Sequence, residues 1–438
     1  MLAVSVSTAV AWCLLVILPI VCALLLRWVR CPGWAVVGGA VAGILLGPSI
    51  FGRIAPEAFE EAFVGGGQQR RTLESLRRRQ GADVLASDVA GLEEPALEAM
   101  LQRHQEERAP LEEALEEARW DHQRPMRIAV SVVVALTLLG GGSRGVREGD
   151  RRQGFIAPLS IGAWSSLLPG ALAYFAMTWL WRHPPAPSLL AAAAVAIGPW
   201  VLTAADRESA DEAEFGGAHM IQTAGRIASL LAIIAAVFAL VIARGAPGLL
   251  WSLPLLALPL GWLLLKKGSG VISSEKRGRE SFSEEKGSGV VFGPEAEEAA
   301  QFGALRIRSA SPGAALEIVL VPVLAACVGM KIDIYAHFAL WPIVVFILLS
   351  GDGRWLGALM GAMLPGGRRG MRTMRLVMGS MACGPTQLSV AALAVHTWAA
   401  PESMSYALLL GAIYIEMSTP LRRIMARRLA QTEEELGE

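Results

Sequence analysis

Residues 187–207, PSLLAAAAVAIGPWVLTAADR, and residues 218–243, AHMIQTAGRIASLLAIIAAVFALVIA, decide how this chain is read. The first is an apolar segment from Pro187 to Leu202 that runs into Thr203-Ala204-Ala205-Asp206-Arg207. The second is a longer apolar segment with Arg226 well inside it. A charge at membrane depth is costly and ordinarily faces a cavity, a pathway or a partner. Arg226 lies about 12 Å from the start of its segment, roughly 7 to 8 Å below the interface of an apolar core about 30 Å thick, just beyond comfortable side-chain reach. A snorkelling arginine and an arginine at a site are therefore both open readings.

Composition supports a membrane setting. Of 438 residues 53% are hydrophobic and only 18% charged, and the mean hydropathy is +0.46, too apolar for an ordinary soluble chain. Lys and Arg total 39, as do Asp and Glu, so net charge favours neither nucleic acid nor an acidic substrate as partner. Cys13, Cys22, Cys31, Cys327 and Cys383 lie mostly inside apolar runs without metal-ligand spacing and read as small core residues; no metal or cofactor is expected. Walker A and HExxH patterns are absent, and the chain reads as a non-enzyme.

Hydropathy predicts an all-α polytopic protein of about eleven spans, good to about two, at 5–28, 33–51, 126–142, 155–181, 187–205, 218–243, 248–265, 313–331, 335–363, 374–398 and 403–421. The first run, Ala3 to Trp28, lacks a basic n-region and exceeds a signal-peptide core, so it reads as a retained span. Alternation puts Arg27 and Arg30, Arg144 to Arg152, Arg368 to Arg375 and Arg422 to Arg428 on one side. The positive-inside rule makes that side cytoplasmic, with the N-terminus outside.

Five regions follow. Residues 1–52 hold two spans; 53–125 form a polar Glu- and Arg-rich insert with Leu97, Met100, Leu101, Leu111 and Leu115 at helical spacing. It is expected to fold as an outer helical hairpin, with Pro95 and Pro110 at helix starts. Residues 126–265 carry further spans. Residues 266–312 contain Lys267-Gly268-Ser269-Gly270-Val271 and its near copy Lys286-Gly287-Ser288-Gly289-Val290, a linker too polar to fold alone. Residues 313–438 complete the membrane part.

Residues 33–52, GWAVVGGAVAGILLGPSIFG, with Gly38, Ala42-Gly43 and Leu46-Gly47-Pro48, resemble the opening of the sodium/proton exchanger-like monovalent cation:proton antiporters of the CPA2 type. PVLAACVGMKIDI, residues 322–334, resembles that family's later segment through Val328-Gly329-Met330 and Asp333. The closing order is similar too: Arg354-Trp355-Leu356-Gly357-Ala358, then Cys383-Gly384-Pro385-Thr386-Gln387, then Ser418-Thr419-Pro420-Leu421. The resemblance implies two inverted repeats whose broken helices cross near the bilayer middle, exposing helix ends and unwound backbone to an ion. Thr203 to Asp206 would be one break, and Gly384-Pro385-Thr386 the other. Na+ or K+ and protons would be the partners, in a bacterial inner membrane, with room for a homodimer.

The chain departs from that pattern where it matters. The family keeps an acidic carrier one third of the way along the helix after the first break; here the text is Thr223-Ala224-Gly225-Arg226-Ile227. A membrane lysine of the second half is replaced by Arg354, and arginine does not release its proton at working pH. Glu416, about the middle of the last span, is the substitute carboxylate on depth or else an arginine's partner. His219, His337 and His396, near span ends, read as interfacial. Three functions follow: a cation:proton antiporter, an anion-handling or uncoupled relative built on Arg226 and Arg354, or a non-transporting scaffold.

Overall fold

The computed structural model describes residues 6–89, 94–142, 156–197, 218–257, 259–260, 312–337, 340–363, 374, 377–378, 384–397 and 402–436. Thr203, Asp206 and the linker 266–312, apart from Pro312, lie outside them. All regular structure among the described residues is helical. In order come α1 (Val6–Trp28), α2 (Trp34–Leu46), α3 (Gly67–Val89), α4 (Glu94–Gly142), α5 (Ile156–Phe175), α6 (Pro185–Ala196), α7 (Ala218–Arg244), α8 (Pro312–Gly329), α9 (Leu340–Leu348), α10 (Arg354–Met363), α11 (Gly384–His396) and α12 (Glu402–Leu436). Among the described residues four helical segments, Trp34–Ile54, Ile156–Leu180, Thr223–Arg244 and Leu340–Met363, are long and apolar enough to cross a bilayer.

The side-chain pattern of α7 shows what surrounds the bundle. Leu230, Ile234, Phe238 and Ile242 are exposed, while Ala224, Ala228, Ala232 and Ala236 are buried. Both stripes recur every four residues, so one helical face presents large apolar groups outward and the other packs small ones inward. In lipid, association gains nothing from burying leucine and depends on close packing of small residues. This is a membrane-embedded all-α protein.

Glycines set the contacts. A β-carbon on Gly39 or Gly43 of α2 would strike the backbone of α8 at Pro322 or Ala326. Gly357 and Gly361 of α10 likewise press on Trp164 and Ser160 of α5. Ser49 ties the loop after α2 to the one after α8, donating to the Ile332 carbonyl and accepting from the Ile334 N–H. Asp333 accepts from Tyr335 and Ala336 and so caps the turn that follows.

The polar insert is a hairpin, but its second arm is not a separate element. α4 runs unbroken for 49 residues from Glu94 to Gly142, so the border expected at 125 falls inside one helix. Pro95 lies in the first turn as expected, whereas Pro110 is interior and starts nothing. The arms are joined by polar groups: Arg77 bonds Glu112 at 3.0 Å and Gln80 reaches Glu107 at 3.2 Å. Where α4 enters the bundle, buried Arg127 stacks on Trp120, its carbon 3.4 Å from the ring centre. Lys331 donates to Gln123, and Arg244 to the Thr397 carbonyl. This end is the hairpin face; the opposite end, where α1 gives way to α2, is the far face. Cys13 is exposed on α1 rather than a core residue, while Cys327 is buried.

Candidate functional site

α6 stops inside the membrane. It leaves the hairpin face at Pro185 and ends at Ala196, with Ile197 extended at φ −65°, ψ 124°. Its end packs at the middle of α5, because a β-carbon on Gly170 would lie 3.2 Å from that of Ala196. The helix therefore ends earlier than the break expected at Thr203 to Asp206. The signal in the sequence was Gly198-Pro199, since a proline disfavours helix in the residue before it.

A helix end leaves up to four carbonyls without intrahelical partners and carries partial negative charge. In hydrocarbon each must find a donor. Here Arg354 supplies it: its Nε donates to the Val195 carbonyl at 2.8 Å, and Nη2 donates to the same oxygen. Arg354 is 1% exposed. The arginine expected to replace the family's lysine thus works as a cap on a broken helix.

The helix that brings Arg354 is itself irregular. Between α9 and α10 it widens to a π turn over Leu349–Gly353, a distortion frequent at functional sites. Ser350 and Arg354, one turn apart, share a face. Ser350 reaches α11: Gln387 Nε2, in its first described turn, donates to Ser350 Oγ at 3.3 Å and to the Leu408 carbonyl at 3.3 Å. Thr386, Gln387 and Ser389 are fully buried. Gly411 of α12 closes the group, since a β-carbon there would lie 2.9 Å from Ser350 Oγ.

α11 begins at Gly384 and rises to His396 near the hairpin face, where the ring bonds the Cys327 carbonyl at 2.9 Å. His396 is buried and packed, not interfacial. Of the span expected at 374–398, the described residues include the 13-residue helix Gly384–His396. The end of α6 and the first described turn of α11 are linked through the row of Arg354 and Ser350.

The expected residues divide accordingly. Arg354 belongs to the centre, and Thr386 is buried next to the Gln387 that engages Ser350. Arg226 does not share its level: Gly162 meets Ala224 and Ser166 donates to Ala228, so Arg226 is level with residue 164 of α5. That is about 8 Å along the axis from Pro169, which meets Gly353 beside Arg354. Glu416 is not at mid-depth. It packs against Gly33, whose φ of +64° opens α2 at the far face, about 8 Å beyond Gly411.

One residue escaped the sequence reading. Asp352 lies in the π turn and is exposed, between buried Gly351 and Gly353. Counting from the ends of its span would have found it, since it is level with Arg354. A scan against models of protein families returns no match for the chain, and a search of curated proteins returns none either.

Proposed function

We propose that this chain is a secondary membrane transporter on the sodium/proton exchanger-like plan, exchanging a monovalent cation, Na+ or K+, for protons. The observation that carries this reading is the ending of α6 at mid-depth, where Arg354 caps it and the neighbouring Ser350 engages Gln387 of α11. Irregular backbone at that depth is tolerated where it lines a pathway, and helix ends there serve as ion sites. On this reading α5 to α7 and α9 to α12 are the two inverted repeats, the eleven spans include stretches outside the described residues, and the hairpin face is external. Thr203 and Asp206 would complete the first break. Arg226 stands along the approach from the far face, and Glu416 at its mouth.

A second reading draws on Arg354. The Arg354 guanidinium is a permanent positive charge held inside the bundle at the end of α6, which favours an anion as the ion carried. The full chain in proteoliposomes enclosing a pH-sensitive dye separates these. Proton movement that requires a Na+ or K+ gradient supports exchange; movement that requires an anion gradient supports the second reading. Silence under both gradients overturns transport and leaves a membrane scaffold.

A further inference from the structure

Three cations from three parts of the chain converge on the hairpin face. Arg127 opens the apolar run of α4, Arg244 ends α7, and Lys331 follows α8. The guanidinium carbons of Arg127 and Arg244 lie 3.4 Å and 5.7 Å from the centre of one ring, that of Trp120. Lys331 Nζ is 3.0 Å from the side-chain oxygen of Gln123, one turn before Arg127 on the same face of α4. The Arg127 and Lys331 charges both bear on His396, and the carbonyl of the next residue, Thr397, accepts from Arg244. Arg127 is buried, whereas Arg244 and Lys331 are half-buried.

These bonds position the cations without neutralising them, because the Trp120 and Thr397 carbonyls and the Gln123 amide are uncharged acceptors. Around them Arg124 adds a fourth cation, while Glu116 and Asp121, exposed on α4, are acids. Glu402, which opens α12, brings a third acid to this end. Four cations against three acids leave the group positive. Its level is that of a lipid headgroup. Arg244 ends a span long enough to cross the bilayer, and Trp251, 5.8 Å from the Arg127 carbon, joins Trp120 there, as indoles and cations do at membrane interfaces. Towards the bilayer the surface is apolar: Ile128, Val132 and Leu136 are exposed and recur every four residues along α4. Gly245, at φ +63°, reverses the chain after Arg244, so that a β-carbon on Gly248 would strike the Leu240 carbonyl. The returning turn Leu253–Leu256 packs on α4 with Leu253 and Leu256 exposed. A basic group with an apolar strip leading away from it fits a phospholipid in both its halves; a free phosphate would use only the first.

We propose that Arg244 and Lys331, over Arg127, bind the phosphate of an anionic glycerophospholipid in the leaflet on the hairpin side, with its acyl chains along the exposed strip of α4. Arg244 and Lys331 donate to the phosphate oxygens. Arg127, too buried to reach them, raises the local potential and holds the Trp120 ring in place. The site is independent of what the chain carries across the membrane.

The test is native mass spectrometry of the delipidated full chain in detergent, titrated with dioleoyl phosphatidylglycerol, dioleoyl phosphatidylcholine or inorganic phosphate. A cation at the headgroup level contributes about fivefold in affinity for an acidic lipid, so phosphatidylglycerol is expected to bind about 30-fold more tightly than phosphatidylcholine. R244Q/K331Q should erase that preference, and K331Q alone should reduce it about fivefold. R244K/K331R, which keeps both charges, should retain it, as should R182Q, which removes an exposed arginine elsewhere on the hairpin face. Equal binding of the two lipids, or a preference that survives R244Q/K331Q, overturns the proposal. An equal loss in R182Q also overturns it, by making the preference a property of the whole charged face. Where the double variant fails to elute as a single species, K331Q decides by the same criterion. Phosphate bound by a chain that does not distinguish the two lipids assigns the cations to a free anion and removes the lipid.

Discussion

Replacing Arg354 with methionine tests the cap at the heart of the bundle. Methionine matches much of the volume but removes both donors to Val195. A hydrogen bond from a charged donor contributes about 1.5 to 3 kcal/mol, and a cation at a partly buried helix C-terminus up to about 2 kcal/mol. Relief of the buried charge offsets part of this, leaving a net loss of about 2 to 3 kcal/mol confined to the last turn of α6. At about 1.4 kcal/mol per tenfold, amide exchange there should rise about 30- to 150-fold. Hydrogen-exchange mass spectrometry on a peptide spanning 189–197 reads this directly. The hairpin arms α3 and α4, remote from the change, serve as the internal reference, and R354K should fall between wild type and methionine. Unchanged exchange at 189–197 in R354M would refute the claim that this guanidinium holds the helix end.

Other substitutions probe the packing and the polar centre. G357L drives a side chain into the Trp164 carbonyl and the Ser165 backbone; overpacking of this kind costs about 1 to 3 kcal/mol or more, and a marked drop in monodisperse yield is expected on size exclusion. G81A is the opposite case, because nothing lies within 4 Å of a β-carbon there; α3 should gain about 0.5 to 1 kcal/mol, seen as slower amide exchange in 67–89. Q387L breaks the links to Ser350 and Leu408, with about 1 to 3 kcal/mol lost for the polar groups left unsatisfied. Exchange at the start of α11 should rise while that of α7 stays constant.

Much of the architecture is legible along the chain. The apolar runs, the hairpin and the small-residue surfaces of α2 and α8 follow from hydropathy and from glycine spacing, because both are local properties of the residues concerned. The continuity of α4 through residue 125 was not legible, since Pro125 and the shift from charged to apolar composition look like a boundary. An established helix crosses that shift because each turn needs only its own backbone bonds, and tertiary contacts of Trp120 with Arg244, Gln123 with the Val64 carbonyl and Arg127 with Trp251 hold the passage.

The centre is where sequence and structure part. Arg354 was singled out by resemblance, and it lies on the end of α6, one turn from the Ser350 that Gln387 engages; Arg226 and Glu416 were placed by position along their spans and fall about 8 Å to one side. The sequence by itself determined that helices cross a membrane, how apolar they are, and which stretches contain charges. Only the tertiary structure decided which helix stops halfway and what satisfies its end, because the Val195 carbonyl and the Arg354 guanidinium are 159 residues apart. Hydropathy sums neighbours in the chain, whereas a buried peptide group is stable only if the folded bundle delivers a donor to it.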